Sequence, residues 1–280
     1  MIGQFVITLR EGFEAILLVA IVVAYLKRTG RLDEVKYAYY GAFAALFSGA
    51  VIALAVLGIY GGLKGDQKGL FESMAAYIAV IVLTYMIIWM ARKDVRKEVE
   101  RKAEQKFAWG IAFVAFIFVV REVIETVLFL TPFAARDVAG TIAGVTAGIV
   151  VSIGLSLAIL RFEYKLSLKK FFYVTSILLA FIASGLLGYG THELIEVLEG
   201  NGHESWFFEN AYSLGINESS FLHNKGVIGS IFAVLFGYSA SMEYLRAFLQ
   251  FGYLISALIL IRWSYKAKSR NLSESRATPV

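Results

Sequence analysis

MIGQFVITLREGFEAILLVAIVVAYLKR, residues 1–28, is long and apolar enough to cross a bilayer, yet it carries Arg10, Glu11 and Glu14 in its first half. Nearly the same charged word, Arg-Glu-x-x-Glu, returns at Arg121, Glu122 and Glu125 inside FAWGIAFVAFIFVVREVIETVLFL, residues 107–130. Bare acids in hydrocarbon cost several kcal/mol each, and such residues face a bundle interior or a watery cavity. Two copies in two spans therefore point to a buried polar site. A charge cluster that merely locks helix register explains the repeat less well, because an asparagine or serine pair would do the same at lower cost.

The rest of the chain agrees with a membrane setting. Of 280 residues, 58% are hydrophobic and 18% charged, a balance without the polar shell of a soluble domain. Spanning helices need about 20 apolar residues. Runs of that kind fall at about 3–26, 37–63, 70–91, 107–131, 138–160, 171–199 and 226–262. They lack the alternation of barrel strands, and only helices satisfy their own backbone in lipid. The expected fold is an all-α integral membrane protein with seven transmembrane helices in one domain, 1–262, and a disordered polar tail from 263 to 280. A weak point at GYSAS, 237–241, divides the last run. Pro132 is placed at a helix end, where proline does little harm. No cleavable signal peptide is expected, since MIGQ carries no basic side chain.

Basic residues set orientation. Four follow the first span (Lys27, Arg28, Arg31, Lys36), seven lie within 92–106, four within 161–170, and five run from Arg262 onward. The alternate loops hold only Lys64, Lys68, Arg136 and Lys225. Twenty against four places the N-terminus outside and the C-terminus inside. The net charge of +5 thus reflects topology, and no nucleic-acid partner is needed to explain it.

The charged words are 111 residues apart. A unit of three spans is odd, so a second copy enters the membrane inverted, the plan of many secondary transporters with a substrate site near the bilayer middle. The expected repeats are about 1–91 and 107–199, followed by the final helix at about 226–262. In the first span Glu11 lies nine residues in, roughly 13 Å deep. With the fourth span ending near Thr131, Glu122 lies about as deep, measured from the same side. Glu11/Glu14 and Glu122/Glu125 are three apart, so each pair shares a helical face, while Arg10–Glu14 and Arg121–Glu125 are four apart, within reach of an ion pair. The predicted metal ligands are Glu11, Glu14, Glu122 and Glu125, with Arg10 and Arg121 restraining their repulsion.

A second acidic group ends the sixth span: His192, Glu193, Glu196 and Glu199 in THELIEVLEG. With Asp66 and Glu72 it forms a candidate outer mouth, of which Glu72, His192, Glu193 and Glu196 are the stronger ligands. His203, Glu204, Glu209, Glu218 and His223 are assigned to the surface. Oxygen donors with an occasional imidazole suit iron, manganese, magnesium or calcium. The chain has no cysteine, hence no thiolate site for copper(I). No Gly-rich phosphate loop is present to bind ATP. A di-metal carboxylate enzyme needs Glu-x-x-His pairs, and all three histidines lie at or beyond residue 192.

These residues resemble the oxidase-dependent high-affinity iron permeases, the family of the fungal plasma-membrane permease and the bacterial iron-uptake permease. Its hallmark, Arg-Glu-Gly-Leu-Glu in the first and fourth of seven helices, reads here Arg10-Glu11-Gly12-Phe13-Glu14 and Arg121-Glu122-Val123-Ile124-Glu125. HELIE at 192–196 and LFGYSASMEYLRAFLQFGYL at 235–254 are similar to later family segments. The departures are Phe13, Val123 and Ile124; losing the second glycine alters helix contact at the site. The resemblance implies uptake of iron, Fe2+ or Fe3+, across the plasma or inner membrane, with the four glutamates as transport ligands. It also implies an extracytoplasmic ferroxidase or iron-delivery partner, no organic cofactor and no enzymatic activity. The residues alone leave transport of manganese or another divalent ion, export in place of uptake, and, more weakly, a membrane-embedded di-metal carboxylate enzyme as alternatives.

Overall fold

The structure is a computed structural model that describes residues 2–92, 108–162, 168–215 and 238–277. Seven long helices make up most of them: α1 Ile2–Arg28, α2 Val35–Gly62, α3 Asp66–Arg92, α4 Ala108–Arg136, α5 Val138–Phe162, α6 Leu168–Gly200 and α7 Tyr244–Ala277. Five of them, α2, α3, α5, α6 and α7, are long and apolar enough to cross a membrane. The other two, α1 and α4, carry the charged words, which interrupt their apolar composition.

Several ends follow from local chemistry. Gly30, at φ 76°, closes α1: its N–H donates to the Lys27 carbonyl and that of Arg31 to the Leu26 carbonyl, the paired bonds of a Schellman cap. Gly202, at φ 82°, ends α6 with the same pair of bonds, to Glu199 and from His203 to Leu198. Asp137 caps α5, its Oδ1 accepting from the Gly140 N–H at 2.9 Å. Pro132 differs from its expected place: it lies inside α4, which continues to Arg136. The ring costs only the bond to the residue 128 carbonyl, and the last turn survives that loss. α7 likewise continues through the polar segment expected to be disordered, as far as Ala277. That segment offers no helix breaker before Pro279.

The expectation of helices alone fails at one place. Asn210–Ser213 (β1) pairs antiparallel with Ser241–Glu243 (β2). The last long helix therefore starts at Tyr244 rather than near 226; residues 226–237 lie outside the described part of the chain, as do Glu218, His223 and the basic run from 93 to 106.

Two compact units partition the chain. One contains α2, α4, α5 and α1 from Ile7 onward; the other contains α3, α6, β1, β2 and α7. In the first, contacts fix helix directions. Gly41 lies against Ala112 and Gly49 against Val123, while Tyr60 donates to the Ala135 carbonyl, so α2 and α4 run parallel. Leu18, Val22 and Leu26 of α1 pack with Ile111 and Ala115 of α4 and Ala38 of α2 in one buried apolar cluster. Glu11 and Glu14 meet Glu122 farther along the same two helices, so α1 and α4 are antiparallel. The buried small residues Ala38, Gly41, Ala45 and Gly49 of α2 let backbones approach closely, as membrane helix packing favours.

In the other unit α6 runs antiparallel to α7. His192 pairs with Glu243, the Ser184 hydroxyl donates to the Gln250 carbonyl, and Tyr173 stacks edge-on with Tyr265. Thr84 of α3 meets Tyr253 of α7 at 2.7 Å between hydroxyls.

Candidate metal site

The charged words lie in the middle of α1 and α4, within a single unit. Their i,i+3 spacing turns the acids to a common face, and the antiparallel approach brings the faces together. Glu11, Glu14 and Glu122 are all buried, and each offers a carboxylate oxygen within 4.8 Å of the others. Three of the four predicted ligands thus converge.

Glu125 does not join that group of three. It is buried, but Arg121 Nε donates to its Oε1 at 2.7 Å. Arg121 Nε stands 4.0 Å from Glu122 Oε1. The two arginines are not equivalent. Arg10 is wholly enclosed and spans both acids of its own word, with Nη1 donating to Glu11 Oε1 at 2.5 Å and Nη2 3.1 Å from Glu14 Oε1. The expected i,i+4 pairs are present, but in the first word the adjacent acid is held as well. The side chain of Arg121 remains 34% exposed.

The donor set fits a hard or borderline cation. Among the described residues Glu11 Oε2, Glu122 Oε2 and Glu125 Oε2 are buried and accept no hydrogen bond, while Glu14 Oε1 has the ion pair to Arg10. Unmet carboxylate oxygens in an interior are costly, and a cation shared among them removes that cost. Arg10 reaches two of the three acids and Arg121 stands 4.0 Å from the third, so the carboxylates outnumber the guanidiniums around them.

The outer-mouth candidates lie in the other unit. Glu72 is buried and accepts a hydrogen bond from the Tyr189 hydroxyl. His192 donates from Nδ1 to Glu243 Oε1 at 2.7 Å, and its Nε2 stands 3.6 Å from Glu196 Oε1. Glu193 is half-buried near Gly69, whereas Glu196 and Glu199 are exposed. Asp66 accepts from the Asn201 side chain at 3.0 Å. His203, Glu204 and Glu209 are exposed, as expected of surface residues. Among the described residues these groups do not bring three ligand atoms as close together as the α1–α4 acids do.

One ionic group escaped the sequence reading. Glu243 is buried, paired with His192, and 3.8 Å from Arg246 Nη1. Burial pushes its carboxyl up, but hydrogen bonds from His192 and the backbone, with the charges of His192 and Arg246, outweigh burial and hold it below the usual range. Arg246 and Gln250, four apart in MEYLRAFLQ, share a buried stripe of α7, but Glu243 lies on β2 ahead of that helix.

Known proteins bear on this geometry. The sequence profile of the Iron permease FTR1 family matches residues 1–263. An uncharacterized protein of Archaeoglobus fulgidus is 66% identical over 265 residues, covering 95% of this chain and 96% of its own length. No solved structure matches.

Proposed function

This chain belongs to the Iron permease FTR1 family, and from that premise we propose that it imports iron through the carboxylates of Glu11, Glu14 and Glu122. The family is one of permeases and not of enzymes, so the di-metal enzyme alternative is set aside. The observation that carries the site assignment is the convergence of three buried acids from two helices, with Glu11 Oε2 and Glu122 Oε2 accepting no hydrogen bond among the described residues. Arg10 spaces Glu11 and Glu14, while Arg121 holds Glu125 beside the three. In this reading an arriving ion exchanges water for carboxylate oxygen, and Glu125 becomes a further ligand when Arg121 releases it.

The membrane plan of the proposal is seven spans, N-terminus outside, C-terminus inside, in a plasma or inner membrane. It includes inverted repeats of α1–α3 and α4–α6 followed by α7. Paired contacts support the repeat. Gly12 of the first word faces Ser152 on α5, and Val123, its counterpart in the second, faces Gly49 on α2. An extracytoplasmic ferroxidase or iron-delivery protein is the proposed partner.

Reconstitution in liposomes tests the assignment. Glu14→Ala and Glu122→Ala are expected to abolish iron uptake while the purified variants stay folded. Full uptake by both would overturn it. Manganese is the second reading, because an all-oxygen set takes either metal. Competition between the two ions in one uptake assay separates them.

A further inference from the structure

The third residue of each charged word does not face the acids; it faces a neighbouring helix. On α1 this residue is Gly12, where an added Cβ would lie 2.8 Å from Ser152 Oγ. The Ser152 hydroxyl donates to the Ile149 carbonyl at 2.9 Å, so it fills space against Gly12 instead of pointing to the site. On α4 the third residue is Val123, and the partner is Gly49 of α2, where an added Cβ would overlap the Val123 Cγ1 methyl. The contact is thus inverted between copies: a small word residue meets a larger backing residue in one, and a larger word residue meets no side chain in the other. Gly49 is buried and belongs to the small-residue face of α2. Val123 follows Glu122 directly and precedes Glu125 by two, so its seat controls the rotation and offset of that stretch of α4.

We propose that Gly49 and Val123 form a positioning pair that sets how far Glu122 reaches toward Glu11 and Glu14, and through that distance the choice between iron and manganese. This inference rests on the carboxylate site proposed above and adds residues that touch no cargo. The physical reason is that membrane helices approach to the limit their side chains allow. A methyl added at Gly49 cannot be absorbed by the valine without moving α4 or turning the side chain off its rotamer. Removing the valine's bulk at the same time reopens the space.

The test is an uptake assay in proteoliposomes with iron alone and with manganese as competitor. It compares the wild type with Gly49→Ala, Val123→Gly, the Gly49→Ala/Val123→Gly double variant, and Gly58→Ala. Gly58 lies on the same helix with nothing near its Cβ position, and Gly58→Ala is expected to match the wild type. Gly49→Ala is expected to lower uptake at limiting iron by about tenfold, the scale of losses when groups orienting a metal ligand are disturbed. It should also change the iron-to-manganese ratio, and the double variant should recover both. Uptake by Gly49→Ala equal to wild type, a parallel loss of both metals, or a double variant no better than the single would each overturn the pairing. If Gly49→Ala does not fold, Val123→Ala replaces it: shortening the knob should change the metal ratio, and an unchanged ratio overturns the proposal. Glu14→Ala and Glu122→Ala run alongside. Normal uptake by those two would sink the site itself, whereas their loss beside an unaffected Gly49→Ala would sink only the positioning role.

Discussion

Replacing Arg10 by methionine should damage this protein far more than the same change at Arg121. Arg10 has no solvent-exposed side-chain surface and sits 2.5 Å from one buried acid and 3.1 Å from another. Removing one member of a buried ion pair costs about 3–5 kcal/mol, because the remaining charge stays behind without a partner. Here two carboxylates are stranded in Arg10→Met, so the loss should sit at the upper end of that range. Arg121 is one-third exposed, with Glu125 Oε1 at 2.7 Å and Glu122 Oε1 at 4.0 Å. A pair enclosed on one side only falls between the exposed limit of about 1 kcal/mol and the buried limit of about 3–5 kcal/mol, so its removal should cost less than that of Arg10. Denaturant titration of the two purified variants in one detergent, followed by tryptophan fluorescence, measures the difference. Adding Glu11→Gln to Arg10→Met removes one stranded charge and should restore part of the stability. Equal destabilisation by Arg10→Met and Arg121→Met, or no recovery on adding Glu11→Gln, would refute the asymmetry read from the two words.

Uptake should follow the grouping of the acids: Glu11→Gln, Glu14→Gln and Glu122→Gln each lower it at limiting iron by about tenfold or more, and Glu125→Gln by less. Glu125→Gln failing as completely as the others would show that it ligates on equal terms. The carboxyl of Glu243 is held below its ordinary range, so its stabilisation is complete above the unfolded value of about 4.3 and is lost as pH falls through the lower folded value. The stability gap between wild type and Glu243→Gln, measured by thermal unfolding, should therefore narrow below about pH 4. The chain has no cysteine, so single cysteines report topology cleanly. In intact cells Lys64→Cys should react with an impermeant maleimide, and Arg31→Cys only after permeabilisation; the reverse pattern would invert the proposed orientation.

Much of this arrangement could be read from residue types and spacing. The i,i+3 acids and i,i+4 ion pairs depend only on helical period, and α1 and α4 realise both. The convergence of Glu11, Glu14 and Glu122 followed from two helices running in opposite directions, which the loop charges already implied. What escaped depended on contacts distant in sequence. Glu125 stands apart because Arg121 holds it, a choice between two acids that spacing alone does not make. Pro132 lies within α4 because one missing bond near a helix end is tolerated. Glu243 depends on a strand pair joining residues 210 and 243, and strands of three and four residues leave little periodic trace. The same pairing displaced the expected start of the last helix. Gly49 is one of 25 glycines; only the valine seated against it sets it apart.

The apolar cluster beside the acids has a consequence for speed. Beyond Glu14, the same stripe of α1 presents Leu18, Val22 and Leu26, closed off by Ile111 and Ala115, so on the proposed path an ion leaving the acids meets buried hydrocarbon at successive turns. Passage toward the basic end of α1 then waits on those helices parting, one event per ion. Under the proposed function, that is the tempo of a shuttle rather than of an open pore.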